Sequence, residues 1–390
     1  MDLGSRYLAT SLGRVASTLN AATPFARTGP VSIPSFAFGW PPSELPLPHA
    51  AAFGASALVA MARGAHRSTA GKLGIALTAA SAAGLYQLHR QTRDADELVE
   101  LALVDELGGE YHGRLAQNPL APTTDEVPVL PTPRARSRYV EQGHIAYDEY
   151  GRRTTLDVWR RRALPLDGRA PVLVQVHGGA WVFGDKEGQA YPLMTHMAER
   201  GWVCVSITYR LSPRATWPDH IVDVKRALAW VKENIADHGG DPDWVAITGG
   251  SAGGHLSSLA ALTPNEPAFQ PGFEDADTSV RAAVPFYGVY DWTNRDGSGR
   301  ADIDDFLATR VIKQTKVDAP EIWDAASPMT YVGPDSVPTM IVHGTNDSLV
   351  PVEQARAMVD LMRKESQQPV VYVEFPGAQH AFDMFGSPRT

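Results

Sequence analysis

The feature that most constrains the fold is a glycine-rich turn between an apolar run and a stretch of small residues. The run Trp244–Thr248 has the apolar pattern of a buried strand, and the letters GGSAG follow at positions 249–253. A sharp turn from strand to helix around a serine is the geometry of a nucleophile elbow. Gly249 and Gly253 would let the two backbones pass closely, and the helix N-terminus would present free N–H groups beside the serine. We therefore predict that Ser251 is a nucleophile.

A second glycine motif follows another buried-strand pattern. The run Pro171–Val176 is rich in apolar and β-branched residues, and the letters HGGAW occupy positions 177–181. Two glycines after a strand allow backbone N–H groups to turn towards one point, as an oxyanion hole requires. We expect the oxyanion donors to be the N–H groups of Gly178, Gly179 and Ala252.

Two later loops offer the base and the orienting acid that a serine nucleophile needs. Asp347 follows the strand pattern Thr339–His343, and His380 follows the strand pattern Val370–Phe375. Because parallel strands end at the same edge of a sheet, both loops should lie near Ser251. The chain order serine, aspartate, histidine is the order of α/β-hydrolases. A rival acid is Asp291, which lies in the loop after an earlier predicted strand.

Together these motifs resemble the hormone-sensitive-lipase-like branch of the α/β-hydrolases, especially its actinobacterial, mycobacterial-type esterases and lipases. The resemblance covers roughly residues 136–380. It implies a serine carboxylesterase or lipase that hydrolyses small-molecule or lipid esters through an acyl-enzyme, without a cofactor. The implied triad is Ser251, Asp347 and His380. The residues that support the two glycine motifs are His177, Ala180, Trp181, Gly249 and Gly253.

The chain departs from this family pattern at two places. Many members carry aspartate in the second position of the elbow, where this chain has Gly250, so a hydrogen bond near the serine should be absent. His380 lies ten residues before the last residue, Thr390. Relatives continue into a final amphipathic helix, so we expect the C-terminus to be truncated and the loop of His380 to be less well supported.

The catalytic domain is predicted at residues 135–390, after a proline-rich linker at 119–134. Alternation of strand and helix patterns predicts an α/β fold with a mostly parallel sheet and helices on both faces. Residues 291–328 interrupt the alternation and should form a lid insertion. The predicted strands are Leu156–Arg160, Val172–Val176, Trp202–Tyr209, Trp244–Thr248, Val280–Phe286, Thr339–His343 and Val370–Phe375. The predicted helices of this domain are Tyr191–Arg200, Asp219–His238, Ser251–Ala261 and Pro351–Glu365.

The first 118 residues have a different character and should be mostly helical, apart from an irregular stretch at Pro24–Pro48. The formal net charge of the chain is −9, whereas residues 1–72 carry six basic and two acidic side chains. Two apolar stretches, His49–Ala62 and Leu73–Leu88, are each shorter than the roughly 20 residues that span a bilayer. A membrane hairpin, an interfacial anchor and a helical pair packed on the catalytic domain are the open interpretations. Membrane association through residues 49–88 is favoured over a cytoplasmic location.

Several other functions are excluded or ranked lower. The acidic balance argues against a nucleic-acid partner, no histidine or cysteine spacing suits a metal, and no nucleotide-binding glycine motif follows a strand. A prolyl-oligopeptidase-like serine peptidase shares the elbow letters, but that family carries a large propeller domain that the first 134 residues could not supply. A third hypothesis is a non-catalytic receptor or scaffold on a hydrolase fold. The presence of all three triad candidates argues against it.

Overall fold

The computed structural model describes residues 1–117 and 133–389, and their side chains except at positions 116, 117 and 133–135. Eight strands form one sheet in the order β1-β2-β4-β3-β5-β6-β7-β8, numbered along the chain. The first two pairings in this order are antiparallel and the others are parallel. The strands are β1 Val140–Ala146, β2 Thr155–Trp159, β3 Ala170–Val176, β4 Val203–Ile207, β5 Gly240–Gly250, β6 Ala282–Phe286, β7 Thr339–Gly344 and β8 Val370–Phe375.

Helices cover both faces of this sheet, so the predicted α/β-hydrolase architecture is confirmed. Strands β2 and β4 are buried at every position, as their apolar runs indicated. Strand β1 was not predicted, because four of its seven residues are exposed and it has no apolar run. The predicted helix at Asp219–His238 is an α-helix only to Asn234 and ends in a 3₁₀ turn. The helices after β3 are α8 Tyr191–Glu199, α9 Asp219–Asn234, α10 Ala252–Leu262, α11 Asp304–Phe306, α12 Pro320–Ala325 and α13 Val352–Glu365.

The part of the chain before β1 is helical. Its described helices are α1 Leu3–Ala22, α2 Ser32–Glu44, α3 Pro46–Ala62, α4 Thr69–Thr92, α5 Ala95–Leu107, α6 Tyr111–Gln117 and α7 Pro133–Tyr139. The predicted irregular stretch Pro24–Pro48 is wrong, because it contains α2 and the start of α3. Proline is tolerated in a first helical turn, as at Pro46, and Pro41 and Pro42 lie in the last turn of α2. Most of the predicted linker at 119–134 lies outside the described residues.

The first four helices, which we call the cap, pack together, and α1 and α2 contact the α/β domain that contains the sheet. Within the cap, α1 lies along α4, where the Tyr7 hydroxyl donates to Thr78 Oγ1 at 3.1 Å. Between cap and domain, Glu44 and Arg389 form a buried ion pair with an N–O distance of 2.8 Å, and both side chains are almost fully excluded from water. The Trp40 indole N–H also donates to the Ala381 carbonyl at 2.9 Å. Both contacts come from α2, which lies before residues 49–88, so the open interpretations of residues 49–88 stay as they were.

Within the described residues, no single helix is both long and apolar enough to cross a bilayer. The pair formed by α2 and α3 meets the same criteria of length and composition when its helices are joined, but it is bent by 91° at the break.

Replacing Glu44 with glutamine should lower the free energy of unfolding by about 3 kcal/mol, because Arg389 would be left as an unpaired buried charge. Urea denaturation followed by circular dichroism measures this loss. The matched control is Glu353→Gln, since Glu353 is exposed and lies 3.7 Å from the exposed Arg356. An exposed pair contributes at most about 1 kcal/mol. Equal losses for the two variants would show that the cap is not held by this buried pair.

Candidate active site

Ser251 lies at a strained turn between β5 and α10. Its backbone has φ 60° and ψ −121°, a conformation that a non-glycine residue rarely adopts, and its N–H donates to the Phe286 carbonyl at 3.0 Å. A β-carbon at Gly249 would lie 2.5 Å from the carbonyl oxygen of Gly253. One at Gly253 would lie 2.1 Å from the carbonyl oxygen of Val176 in β3. Only glycine fits at either position, so this turn has the geometry expected of a nucleophile elbow.

Asp347 and His380 meet at the edge of the sheet where β5, β7 and β8 end. The Asp347 Oδ2–His380 Nδ1 distance is 2.6 Å, and both side chains are buried. The other carboxylate oxygen accepts from the backbone N–H groups of Leu349 and Val350 at 2.8 and 2.7 Å. His343, at the end of β7, also approaches Oδ2 at 3.2 Å. The aspartate is therefore fixed by its own loop and directed at the histidine.

The electrostatics of this pair favour an ionised acid. Burial by itself would raise the pKa of Asp347, but attraction to His380 and hydrogen bonds from His343 and His380 hold that pKa well below its ordinary value. A carboxylate at this position holds the Nδ1–H tautomer of His380, which leaves Nε2 free to act as a base. Ser251 is partly exposed, and its hydroxyl makes no hydrogen bond to any described residue. Such contacts often form only when substrate is bound.

The candidate oxyanion loop, residues 177–181, differs at one position from the expected set of three free N–H donors. The Gly178 N–H already donates to Gln189 Oε1 at 2.7 Å. Gly179 has φ 127°, and a β-carbon there would lie 2.1 Å from the Phe183 carbonyl oxygen. Within the described part of the chain, the N–H groups of Gly179 and Ala252 donate to no acceptor. These two donors are available as they stand, whereas Gly178 must first release Gln189. No pattern in the sequence indicated this glutamine.

Buried histidines support the loop without titrating at neutral pH. The imidazole of His177 stacks on the Tyr209 ring with centroids 4.3 Å apart, and burial lowers its pKa to about 4. His255 accepts a hydrogen bond from the Trp181 indole at 3.1 Å, and its Nε2–H donates to the Ala326 carbonyl at 2.7 Å. Burial lowers the pKa of His255 to about 3. His255 therefore connects helix α10 to the loop after α12, as a structural residue.

The carboxylate of Asp291 bonds to residues of its own loop. Its carboxylate accepts from the Thr293 N–H and hydroxyl at 3.0 and 2.6 Å and from the Arg295 N–H at 2.7 Å. The Arg295 guanidinium lies 3.2 Å away. No contact joins it to His380 among the described residues. In the same part of the chain, no three histidine, cysteine, aspartate or glutamate side chains are grouped to hold a metal ion.

The first 44 residues contribute side chains to the loops of His380 and Asp347, which the sequence did not reveal. The ring of Phe36 meets the His380 imidazole edge-on, with centroids 6.1 Å apart. Arg27 donates to the Thr345 carbonyl at 2.9 Å and to Asn346 Oδ1 at 3.2 Å, one residue before the catalytic aspartate candidate. These residues come from the stretch predicted to be irregular. Nothing in their spacing shows that they fold back onto β7 and β8.

Comparison with known proteins identifies the class. A family model described as BD-FAE matches residues 160–362. The probable carboxylic ester hydrolase LipM of Mycobacterium tuberculosis is 50% identical over 96% of this chain and 87% of its own length. Esterase LipQ of that organism is 48% identical over 76% of this chain and 72% of its own. A thermophilic esterase of Thermogutta terrifontis, solved with bound butyrate, aligns with a TM-score of 0.52 at 27% identity, covering 62% of this chain and 84% of that one.

These matches place the chain among the serine esterases of the α/β-hydrolase fold. It belongs to the hormone-sensitive-lipase-like esterase family, in the mycobacterial branch that the sequence motifs resemble. It is accordingly a carboxylic ester hydrolase.

Asp347→Asn should lower kcat by about 10⁴-fold, because an amide no longer selects the productive tautomer of the histidine. Asp291→Asn, the matched control at the rival acid, should lower kcat by less than about tenfold, since its amide oxygen can still accept from Thr293 and only the bond from the Arg295 N–H is lost. Hydrolysis of p-nitrophenyl acetate under saturating conditions measures both. A larger loss at Asp291 would reassign the acid.

Proposed function

We propose that this esterase works through a triad of Ser251, His380 and Asp347. The observation that carries the proposal is the 2.6 Å contact between Asp347 Oδ2 and His380 Nδ1 at the sheet edge where the elbow of Ser251 emerges. The depressed pKa of the aspartate supports its role as a permanently charged orienting group. Three side chains from three strand ends then supply the nucleophile, the base and the acid.

In the first half-reaction, His380 Nε2 accepts the proton of Ser251 as its Oγ attacks the ester carbonyl. The resulting oxyanion accepts hydrogen bonds from the N–H groups of Gly179 and Ala252, and from Gly178 when Gln189 moves away. Collapse of this intermediate expels the alcohol, which takes the proton from His380. Water then attacks the acyl-enzyme with His380 as base, which releases the acid and restores the serine.

We further propose a division of the chain into a helical segment at 1–118, a linker at 119–134 and a catalytic domain at 135–390 with a lid insertion near 291–328. The insertion contains α11, a π-helical turn at Leu307–Val311 and α12, and lies between β6 and β7. The contacts of α2 with the loop of His380 support a role of the first segment as a cap over the site.

Ser251→Ala should abolish ester hydrolysis, with kcat reduced by at least about 10⁴-fold and an unchanged circular dichroism spectrum. The wild-type enzyme should also gain the mass of one phosphonyl group on Ser251 after treatment with a fluorophosphonate ester. Ser258→Ala is the control, because this buried hydroxyl lies in the same helix and only donates to the Gly254 carbonyl. Residual turnover in the Ser251 variant, or labelling at another residue, would contradict the assignment.

We also propose that the cap contacts an anionic membrane surface through residues 49–88. In α3 only Pro46 and Ala60 are buried, and Leu58 and Val59 are 65% and 50% exposed. A groove of about 310 Å³ lies between α1 and α2, with Val31 among its walls. Exposed apolar side chains of this size favour insertion into the boundary between head groups and acyl chains.

The charge of the cap supports the same partner. Arg6, Arg63, Arg67 and Lys72 are exposed, and none of them pairs with a described carboxylate. The acidic Glu44 is buried against Arg389, so the exposed surface of the cap is more basic than its composition suggests. Cations beside exposed apolar side chains attract anionic lipids while the apolar groups insert.

The double variant Leu58→Asp, Val59→Asp should bind vesicles of phosphatidylglycerol at least about tenfold more weakly than the wild type. Its hydrolysis of a water-soluble ester should be unchanged, because α3 does not reach the triad. Val317→Asp is the matched control, since Val317 is 90% exposed on the lid insertion. Vesicle flotation at low salt measures binding. Absence of wild-type binding, or equal loss in the control, would contradict membrane contact.

A further inference from the structure

Gly250, the residue before the nucleophile candidate, leaves room for the side chain of Tyr287. A β-carbon at this position would lie 2.5 Å from the hydroxyl oxygen of Tyr287 and 2.8 Å from two of its ring carbons. No real β-carbon tolerates such contacts, so any larger residue at 250 would displace the tyrosine. The missing elbow side chain is therefore replaced in space by Tyr287, which comes from the loop after β6.

Tyr287 reaches from the elbow to the loop that carries His380. Its ring centroid lies 4.5 Å from that of the His380 imidazole and 5.5 Å from that of Phe382. Its hydroxyl donates to the carboxylate of Asp383. The backbone of Tyr287 has φ 38°, an unfavourable value for a tyrosine, and its N–H is held by the Val342 carbonyl at 2.8 Å. A strained residue whose backbone N–H and side-chain hydroxyl are both hydrogen-bonded is typical of a position with a functional constraint.

The segment after His380 is otherwise held by apolar contacts and by the bond from the Trp40 indole to the Ala381 carbonyl. Ala381 has φ 58°, and Phe382 is fully buried against the rings of Phe375 and Tyr287. Apolar packing is non-directional, so it limits the distance of this loop from the sheet more than its rotation. A hydrogen bond to a carboxylate is directional and stronger than a neutral one. The Trp40 bond fixes the backbone at Ala381, and the bond between Tyr287 and Asp383 adds a directional contact two residues further along the chain.

We propose that Tyr287 and Asp383 form a positioning pair for His380, and that Gly250 is required because a side chain there would break the pair. The inference rests on the triad proposed above. It adds to that proposal three residues outside the triad, Gly250, Tyr287 and Asp383, that hold the imidazole of His380 in position. A base displaced by a fraction of an ångström loses rate while substrate binding is little affected.

The test compares Tyr287→Phe, Asp383→Ala and their double variant in the full chain. Each single variant should lose about tenfold or more in kcat, while KM stays within about twofold, because ring packing and substrate contacts are retained. The double variant should lose no more than the worse single one, since both substitutions remove the same bond. Tyr290→Phe is the matched control, because this buried hydroxyl, three residues away, has no side-chain partner among the described residues. Its kcat should be unchanged.

Gly250→Ala provides an independent arm. Its β-carbon should push the Tyr287 hydroxyl away from Asp383, so its loss in kcat should be similar, and the combination with Tyr287→Phe should add little. Fluorophosphonate labelling at Ser251 in the wild type separates the two levels of the argument. Absent labelling would refute the triad itself. If Ser251 is labelled, three results would refute only the positioning pair. The first is wild-type kcat in the Tyr287 and Asp383 variants, and the second is a loss in the double variant equal to the product of the two single losses. The third is an equal loss of kcat in the Tyr290 control.

Discussion

The catalytic edge depends on the close approach of helix α10 to strand β3. Gly253 lies so near the carbonyl of Val176 that a β-carbon would come within 2.1 Å of it. Because the oxyanion loop begins directly after Val176, this backbone contact sets the elbow against the loop. A β-carbon on Gly178 would lie only 3.3 Å from the β-carbon of Ser251. The separation of nucleophile and oxyanion donors is therefore a property of the backbone and needs no side chain to maintain it.

His380, the proposed base, is held in the opposite way, by side chains from several parts of the chain. Asp347 bonds to the His380 imidazole from the end of β7, Tyr287 packs on its ring from the end of β6, and Phe36 of the cap meets its edge. The Trp40 bond to Ala381 holds the next residue. The histidine loop is thus supported from both the catalytic domain and the cap, although we expected it to be poorly supported.

The success of the sequence predictions varied with how each element is stabilised. Strands buried on both faces were predicted because burial demands a continuous apolar run, whereas the exposed edge strand β1 left no such pattern. Helix α2 was missed because its prolines suggested an irregular segment. The three triad candidates were proposed because loops after parallel strands converge on one edge. The bond of Gln189 to Gly178 was missed, because a partner eleven residues away in a loop has no periodic signature.

Sequence by itself determined the fold class, the elbow and the order of the candidate catalytic residues, because strand burial and glycine requirements are local and leave a readable pattern. Tertiary structure decided which acid faces the histidine, since Asp291 and Asp347 follow similar strands and differ only in what surrounds them. It also decided why glycine occupies position 250. The tyrosine that fills that space comes from another strand end, and such a contact depends on how β5 and β6 lie side by side in the sheet.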